Sequence, residues 1–311
     1  MIYVKQYNDS LKDLWDEFVK SSKNCTFMLE RDYMDYHSDR FVDNSLMFYK
    51  DNKLFALLPA SLHGDEIRSH GGLTYGGFVV DDNMKANYML ECFDVLKLYM
   101  KENNIKKLIY KCIPYIYHQK PCEEDLYALF ANNATLIRRD MASVIDLENK
   151  IKLPKGRKSE ISKARREGIE VAYSENFRDF INLENEILKK YHKTIAVHTA
   201  DELQYLKSKF PNNIHLYEAR KYGELLAGAV VYEYKNMVHT QYMANSDEGR
   251  KLGALDLIID FLINEKYNNK KYFDFGISTE DNGRYLNTGL ISQKEGFGGR
   301  AVVYDFYGIY I

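Results

Sequence analysis

Apolar and polar residues alternate along 1–7 (MIYVKQY) and then take up helical spacing over 10–22 (SLKDLWDEFVKSS), which predicts a strand followed by an amphipathic helix. Strand patterns recur at 45–51 (SLMFYKD) and 53–64 (KLFALLPASLHG), separated by the turn signal KDNK, and a longer extended stretch covers 66–80. In 86–104 the residues Met89, Cys92, Phe93, Leu96 and Met100 fall on one helical face. A β-rich run, IKKLIYKCIPY, comes next at 105–115. The second half repeats this order: strand 169–174, helix 177–192, short helix 200–210, strands 214–223, 224–236 and 237–246, helix 254–269, strand 271–278. In that last helix Leu255, Ile258, Ile259 and Leu262 share a face.

The repeat of strand, helix, three meandering strands, helix and strand suggests duplication of one α/β unit. It implies domains of 1–150 and 151–311, the second opening on a basic helix over 155–168. From Lys152 to Arg166 this join carries seven Lys or Arg and one Glu, with Gly168 placed to end the helix. Such a helix is either a solvated linker or a phosphate-holding surface, in which case Arg157, Lys163 and Arg166 are the candidates.

Composition narrows the function classes. A formal net charge of −2 gives no whole-chain field for DNA or an anionic membrane, so such a partner needs a local patch. No stretch approaches the length of a membrane span, and the start lacks the pattern of a secretory signal, so a cytoplasmic protein is expected. The four cysteines form no CxxC pair and no ligand spacing with the histidines, which leaves metal sites and disulfides unsupported. Twenty-six tyrosines suit glycan or nucleotide clefts, but they are spread along the chain as codon bias would spread them.

The stretch 289–299, GLISQKEGFGG, places four glycines around a lysine and a phenylalanine. So many glycines predict exposed backbone and no helix interior. GxxxxGK[ST] cannot be laid on it, and it lies after the last helix of the unit, so it is neither a P-loop nor a dinucleotide fingerprint. It resembles the C-terminal element of the Fem family, the peptidoglycan bridge-forming aminoacyltransferases within the GNAT acyltransferase superfamily. The tandem halves and the basic RKSEISKARREGIEV segment extend the likeness over most of the chain. The chain lacks the long coiled-coil insert of some Fem proteins, and LISQ lacks the aromatic residues usual before that lysine.

The resemblance implies an α/β protein of two tandem GNAT-like domains, with mixed, mostly antiparallel sheets flanked by helices. It implies acyl or aminoacyl transfer to an amine of a cell-envelope precursor, such as lipid-linked peptidoglycan, or of a surface-glycan intermediate. The donor is aminoacyl-tRNA or acyl-CoA, with no tightly bound cofactor and no metal. The alternatives are an acyl-CoA-dependent N-acyltransferase of an amino sugar and a non-catalytic glycan- or protein-binding module. By resemblance Lys294 sits at the donor end, where Phe297, Gly298, Gly299 and Arg300 join it. In GRKLGAL, Arg250 and Gly253 match the superfamily's pyrophosphate loop, but Leu255 occupies its last small position and argues against acyl-CoA.

Asp274 and Glu280 bracket the carboxyl end of strand 271–278, where open α/β sheets place ligands, and either carboxylate suits an acceptor amine. Asp274 can equally be a satisfied polar group of the strand. Tyr285 is a candidate proton donor. Alternation puts Val238, Thr240 and Tyr242 on one face of their strand and His239 and Gln241 on the other, needing partners from an acceptor or from buried water. His192 and His198 lie in a helix-to-helix connection that walls the acceptor groove in the resembling folds. Tyr75, Lys111, Tyr115, Tyr117 and His118 form aromatic-polar clusters that, by resemblance, bind the acceptor's nucleotide or sugar.

Overall fold

A computed structural model describes the whole chain, Met1–Ile311, apart from the side chain of His192. It divides into two compact units, one of residues 1–141, 279–285 and 303–311, the other of 142–278 and 286–302. The sequence suggests a single boundary at 150. In the structure the first unit also takes back two short pieces from near the C-terminus.

The first unit begins with β1 (Ile2–Gln6), α1 (Lys12–Ser21) and the short α2 (Arg31–Met34). Strands β2 (Val42–Asp43), β3 (Leu46–Lys50), β4 (Lys53–Leu58), β5 (Ser61–His63), β6 (Glu66–Arg68) and β7 (Val79–Val80) precede α3 (Ala86–Glu102), β8 (Lys107–Lys111) and α4 (Glu124–Ala131). Strands β1, β3, β4 and β7 form one sheet in that order. The expected single strand over 53–64 is broken at Pro59-Ala60 into β4 and β5, which join different sheets. Proline has no N–H to give a ladder, so it marks that corner. Met89, Cys92, Phe93, Leu96 and Met100 are all buried on α3, as their spacing predicts.

The second unit holds α5 (Lys155–Arg166), β10 (Glu170–Ser174), α6 (Phe177–His192), α7 (Ala200–Lys209), β11 (Ile214–Lys221), β12 (Glu224–Glu233) and β13 (Met237–Asn245). It continues through α8 (Asp247–Leu252), α9 (Ala254–Phe261), β14 (Tyr272–Ile277) and α10 (Thr288–Glu295). Before α5 the chain runs through β9 (Thr135–Asp146); the hairpin strands β15 (Thr279–Glu280) and β16 (Tyr285–Leu286) precede α10, and β17 (Arg300–Tyr310) comes after it. The sheet runs β10-β11-β12-β13-β14-β9, antiparallel except where β14 lies parallel to β13. Its core brings Leu255, Ile258, Ile259 and Leu262 of α9 and its π-helical end against Ala227, Ala229, Val231 and Val238.

Two features open this sheet near its middle. Strands β13 and β14 pair only from Met237–Tyr272 to His239–Asp274 and then part, leaving a wedge at the carboxyl ends of two parallel strands. Each strand also bulges there: Thr240 and Tyr242 of β13 pair with successive residues Val231 and Val230, and β14 slips against β9 between Asp274 and Ile277. A bulge interrupts the ladder and re-aims side chains, so both walls of the wedge carry redirected residues. Among the described residues no helix is long and apolar enough to cross a membrane.

Candidate active site in the second unit

At the wedge, three side chains converge on one residue, Gly276. The Lys294 ammonium donates to the carbonyls of Gly276 at 3.0 Å and Ile277 at 2.6 Å, where β14 shifts its register against β9. The N–H of Gly276 donates to Asp274 Oδ1 at 2.7 Å, and Asp274 Oδ2 lies 2.8 Å from Nδ1 of His239, its register partner on β13. Only glycine suits this point. Its φ is +69°, and a Cβ there would sit 3.0 Å from Cε1 of His239.

Asp274 is wholly buried and Lys294 nearly so. Burial pulls the Lys294 ammonium down to about 8, opposed by the nearby Asp274 charge. Lys294 is therefore a desolvated cation whose protonation is poised near neutral pH. An ammonium has three N–H donors, and two are spent on carbonyls.

The glycine-rich stretch differs from its expectation. Residues 288–295 are a helix, capped by Asn287 Oδ1, which accepts from the N–H of Leu290 at 3.0 Å. Gly289 lies in its first turn and the other three glycines at or beyond its end, where Gly298 has φ +96°. The space beside them is filled by the chain itself. A Cβ on Gly296 would lie 2.9 Å from Arg157 Nη2, and one on Gly299 would lie 3.0 Å from the Lys294 carbonyl and 3.1 Å from Cβ of Ser143. These glycines admit neighbouring side chains, and no bare backbone is held open there. Arg300 donates to the Gly299 carbonyl at 2.6 Å.

Phe297 is sandwiched, stacked on Phe275 at 5.7 Å with the Arg157 guanidinium 4.0 Å from its ring centre. Arg157 also pairs with Asp256, in the first turn of α9. It is committed to holding α5 on α9. Lys163 is bonded to the carbonyl of Lys251, and Arg166 is exposed on the same helix. The stretch from Arg250 to Gly253 is not an open loop either: Arg250 lies in the last turn of α8 with its guanidinium over Tyr191, and Gly253, at φ +75°, joins α8 to α9. A Cβ there would lie 2.6 Å from the carbonyl of Glu160, so α5 covers the N-terminus of α9. Beyond Phe297, a cavity of about 220 Å³ is walled by Ile145, Ile151, Leu153, Ile161 and Ile263 and rimmed by Lys150, Lys152 and Lys158.

The bulge at Gln241 also corrects the expected facing of β13. Strict alternation would separate Val238 from Met243, yet both pack on the α9 side. Tyr242 consequently meets His198, whose Nδ1 lies 2.5 Å from its phenol oxygen. One residue here was missed by sequence reasoning. Glu184 of α6 is buried at the position where the stripe Phe177, Phe180, Ile181 continues, and burial lifts its carboxyl to about 7. A polar break in an apolar stripe was the available signal.

The remaining expected residues stand elsewhere. Glu280 and Tyr285 belong to the first unit, on exposed positions of a two-strand hairpin. In that unit Tyr75, Lys111 and Tyr117 are buried, contrary to a ligand-facing cluster: Tyr75 packs on Tyr117, whose hydroxyl lies 3.0 Å from that of Tyr304. The Lys111 ammonium donates to the carbonyls of His70 at 2.9 Å and Leu73 at 2.6 Å, and burial lowers it to about 8. His118 bonds the Ile113 carbonyl through Nε2, while Tyr115 is exposed. The His192 side chain lies outside the described residues. Among the described residues, no three His, Cys, Asp or Glu side chains converge as metal ligands would.

No protein-family model matches this sequence, and no curated protein matches it. Solved structures do. FemX is similar over 99% of this chain and 97% of its own, with a TM-score of 0.68 at 12% identity. L-PGS from Bacillus licheniformis covers 98% and 92% at 0.64 and 14% identity. The C-terminal domain of a putative lysylphosphatidylglycerol synthetase from Agrobacterium fabrum covers 97% and 92% at 0.65 and 12% identity. Likeness at such low identity carries the fold alone: an α/β fold like that of FemX, with mixed, mostly antiparallel sheets flanked by helices.

Proposed function

We propose that the protein transfers an acyl or aminoacyl group to an amine, with the wedge between β13 and β14 as the reaction site. The observation that carries this reading is the Lys294 ammonium, pinned by two carbonyls at the open end of parted parallel strands with one N–H to spare. A cation so fixed and desolvated is what a carbonyl needs as it turns into a tetrahedral oxyanion, because its charge acts at low dielectric and requires no rearrangement. Asp274 holds the Gly276 peptide through its N–H and keeps His239 oriented through Nδ1, so the positioning of Lys294 and of the β13 wall depends on one carboxylate.

The donor we favour is an aminoacyl ester such as aminoacyl-tRNA over acyl-CoA. A coenzyme pyrophosphate held by the Arg250–Gly253 stretch needs the bare N-terminus of α9, the helix that follows it. Here that terminus is packed against the Glu160 carbonyl and carries Asp256 in its first turn. An anion entering there would meet a carboxylate and displace its Arg157 partner. The acceptor we favour is an amine of a cell-envelope precursor, a lipid-linked or nucleotide-linked glycan or peptide, as the resemblance of the 289–299 element to the Fem family implies.

The test is a donor comparison under single-turnover conditions. Radiolabelled aminoacyl-tRNA and, separately, radiolabelled acetyl-CoA are presented with a set of peptidoglycan precursors and amino sugars. Transfer from the ester donor alone is expected; transfer from acetyl-CoA alone would replace this reading with that of an amino-sugar N-acyltransferase. Binding of a glycan without transfer from either donor would favour a non-catalytic module.

A further inference from the structure

Glu184 stands where the pattern of α6 calls for a hydrocarbon. The helix buries Phe177, Phe180 and Ile181, and one turn on the same stripe reaches Glu184, 8% exposed. No hydrogen bond or ion pair reaches it among the described residues, and burial alone accounts for its displaced titration. A fold that takes a carboxylate out of water ordinarily supplies a cation or donors in exchange. This one supplies neither, which points to a partner that arrives from outside.

The surroundings fit one kind of partner. Tyr242 of β13 is close enough for the Glu184 charge to bear on its phenol, which burial chiefly, and Glu184 and Glu202 in addition, push up to about 12. The phenol oxygen is also 2.5 Å from His198 Nδ1 and accepts the N–H of His198 at 3.3 Å. The cluster therefore gathers contributions from α6, from the α6–α7 connection and from β13 just past the point where β13 and β14 part. The Glu184 carboxyl, a phenol and an imidazole present negative charge and lone pairs, with no Lys or Arg among them; Glu202 is committed to the capping box of α7.

We propose that Glu184, with Tyr242 and His198, seats the ammonium group of the acceptor, a primary amine on an aliphatic arm, and that Glu184 takes the proton the amine must lose before it attacks. The inference rests on the transfer reading and assigns its acceptor side. The ammonium gives one proton to the Glu184 carboxylate and becomes a neutral amine. Its nitrogen lone pair forms the C–N bond to the donor carbonyl carbon, and the C–O bond of the ester breaks. The second proton lost by that nitrogen passes to the departing alkoxide, and the proton on Glu184 returns to water.

The test uses the full chain labelled with ¹³C at the glutamate side-chain carboxyls and titrated by NMR. Glu184→Gln identifies the signal by its disappearance; should that variant not fold, Tyr242→Phe identifies it by moving it. The Glu184 signal is expected to titrate near neutral pH, and n-propylammonium chloride should lower its midpoint by about one unit, a tenfold preference for the carboxylate form. Equal concentrations of n-propanol and of sodium chloride should leave it unmoved. A Glu184 signal that titrates in the ordinary carboxylate range, or that ignores propylammonium, overturns the proposal. In the transfer assay Glu184→Gln should lower kcat about 100-fold or more, as loss of a positioned base does. An active wild type with an equally active Glu184→Gln removes Glu184 from the reaction and keeps the transfer reading. A wild type inactive with every donor whose Glu184 still answers propylammonium does the reverse.

Discussion

Lys294 and Asp274 meet on the two sides of one residue, Gly276, the ammonium on its carbonyl at 3.0 Å and the carboxylate on its N–H at 2.7 Å. The arrangement stems from the strand around it. The register of β14 against β9 shifts between Asp274 and Ile277, Gly276 takes a left-handed φ, and the helix that ends at Glu295 brings a lysine that donates to the Gly276 and Ile277 carbonyls. A carboxylate and an ammonium are thereby held in fixed relation through one residue.

Gly276→Ala should be costly. The new Cβ would be strained at φ +69° and would crowd His239 Cε1 at 3.0 Å. A loss of about 1–3 kcal/mol in urea unfolding is expected, and a loss within a few tenths would mean the bulge relaxes freely.

The burial of Lys294 predicts a pH signature. Its folded value near 8 lies below the ordinary 10.5, so between these values the unfolded chain binds more protons than the folded one. Unfolding free energy should therefore rise with pH across that window, by at most about 3 kcal/mol from this group. In Lys294→Met that part of the rise should vanish, while the part due to Lys111, lowered in the same way, persists. Identical pH slopes in wild type and Lys294→Met would show that Lys294 is not desolvated.

Glu184 gives the opposite sign over a lower range. Its folded value near 7 exceeds the ordinary 4.5, so the folded chain binds the extra proton and stability falls as pH rises from 4.5 to 7. Glu184→Gln should then stabilise the protein by about 1–3 kcal/mol at pH 8 and by little at pH 4.5. A variant destabilised equally at both values would show a structural bond at Glu184.

The covered terminus of α9 predicts indifference to coenzyme A. Acetyl-CoA at about 1 mM should leave the melting temperature unchanged, whereas a bound ligand at 100 times its Kd would add about 2.7 kcal/mol. A clear upward shift would show that α5 yields its place over Gly253 and Asp256.

Much of this architecture is written in local pattern. The apolar spacing of α3, which buries one face, and the apolar runs of β11, β12 and α9, which are buried over most of their length, place those elements correctly. What local pattern could not carry is tertiary in origin. The extra residue at Gln241 changes which way Tyr242 faces, and only the pairing with β12 reveals it. The glycines after Lys294 argue against a helix by composition, yet Asn287 caps one and three glycines fall at or past its end, where Arg157 and Ser143 press close. The long strands β9 and β17 were not read from the sequence at all. In the candidate site, Asp274, His239 and Lys294 were recognisable separately as strand-end or glycine-flanked polar residues; that Gly276 joins them was not. Lys111 and Tyr117 read as cleft residues because a lysine and tyrosines at a strand end look alike whether they meet a ligand or, as here, backbone carbonyls and another tyrosine.

The most direct test of the central claim is the single-turnover rate of amine-dependent release of tRNA from aminoacyl-tRNA by the wild type and by Lys294→Met, with folding of both checked by circular dichroism. The account predicts release by the wild type and a loss of 100-fold or more, about 2.7 kcal/mol or more of transition-state stabilisation, in the folded variant. Equal rates for the two folded proteins would contradict it.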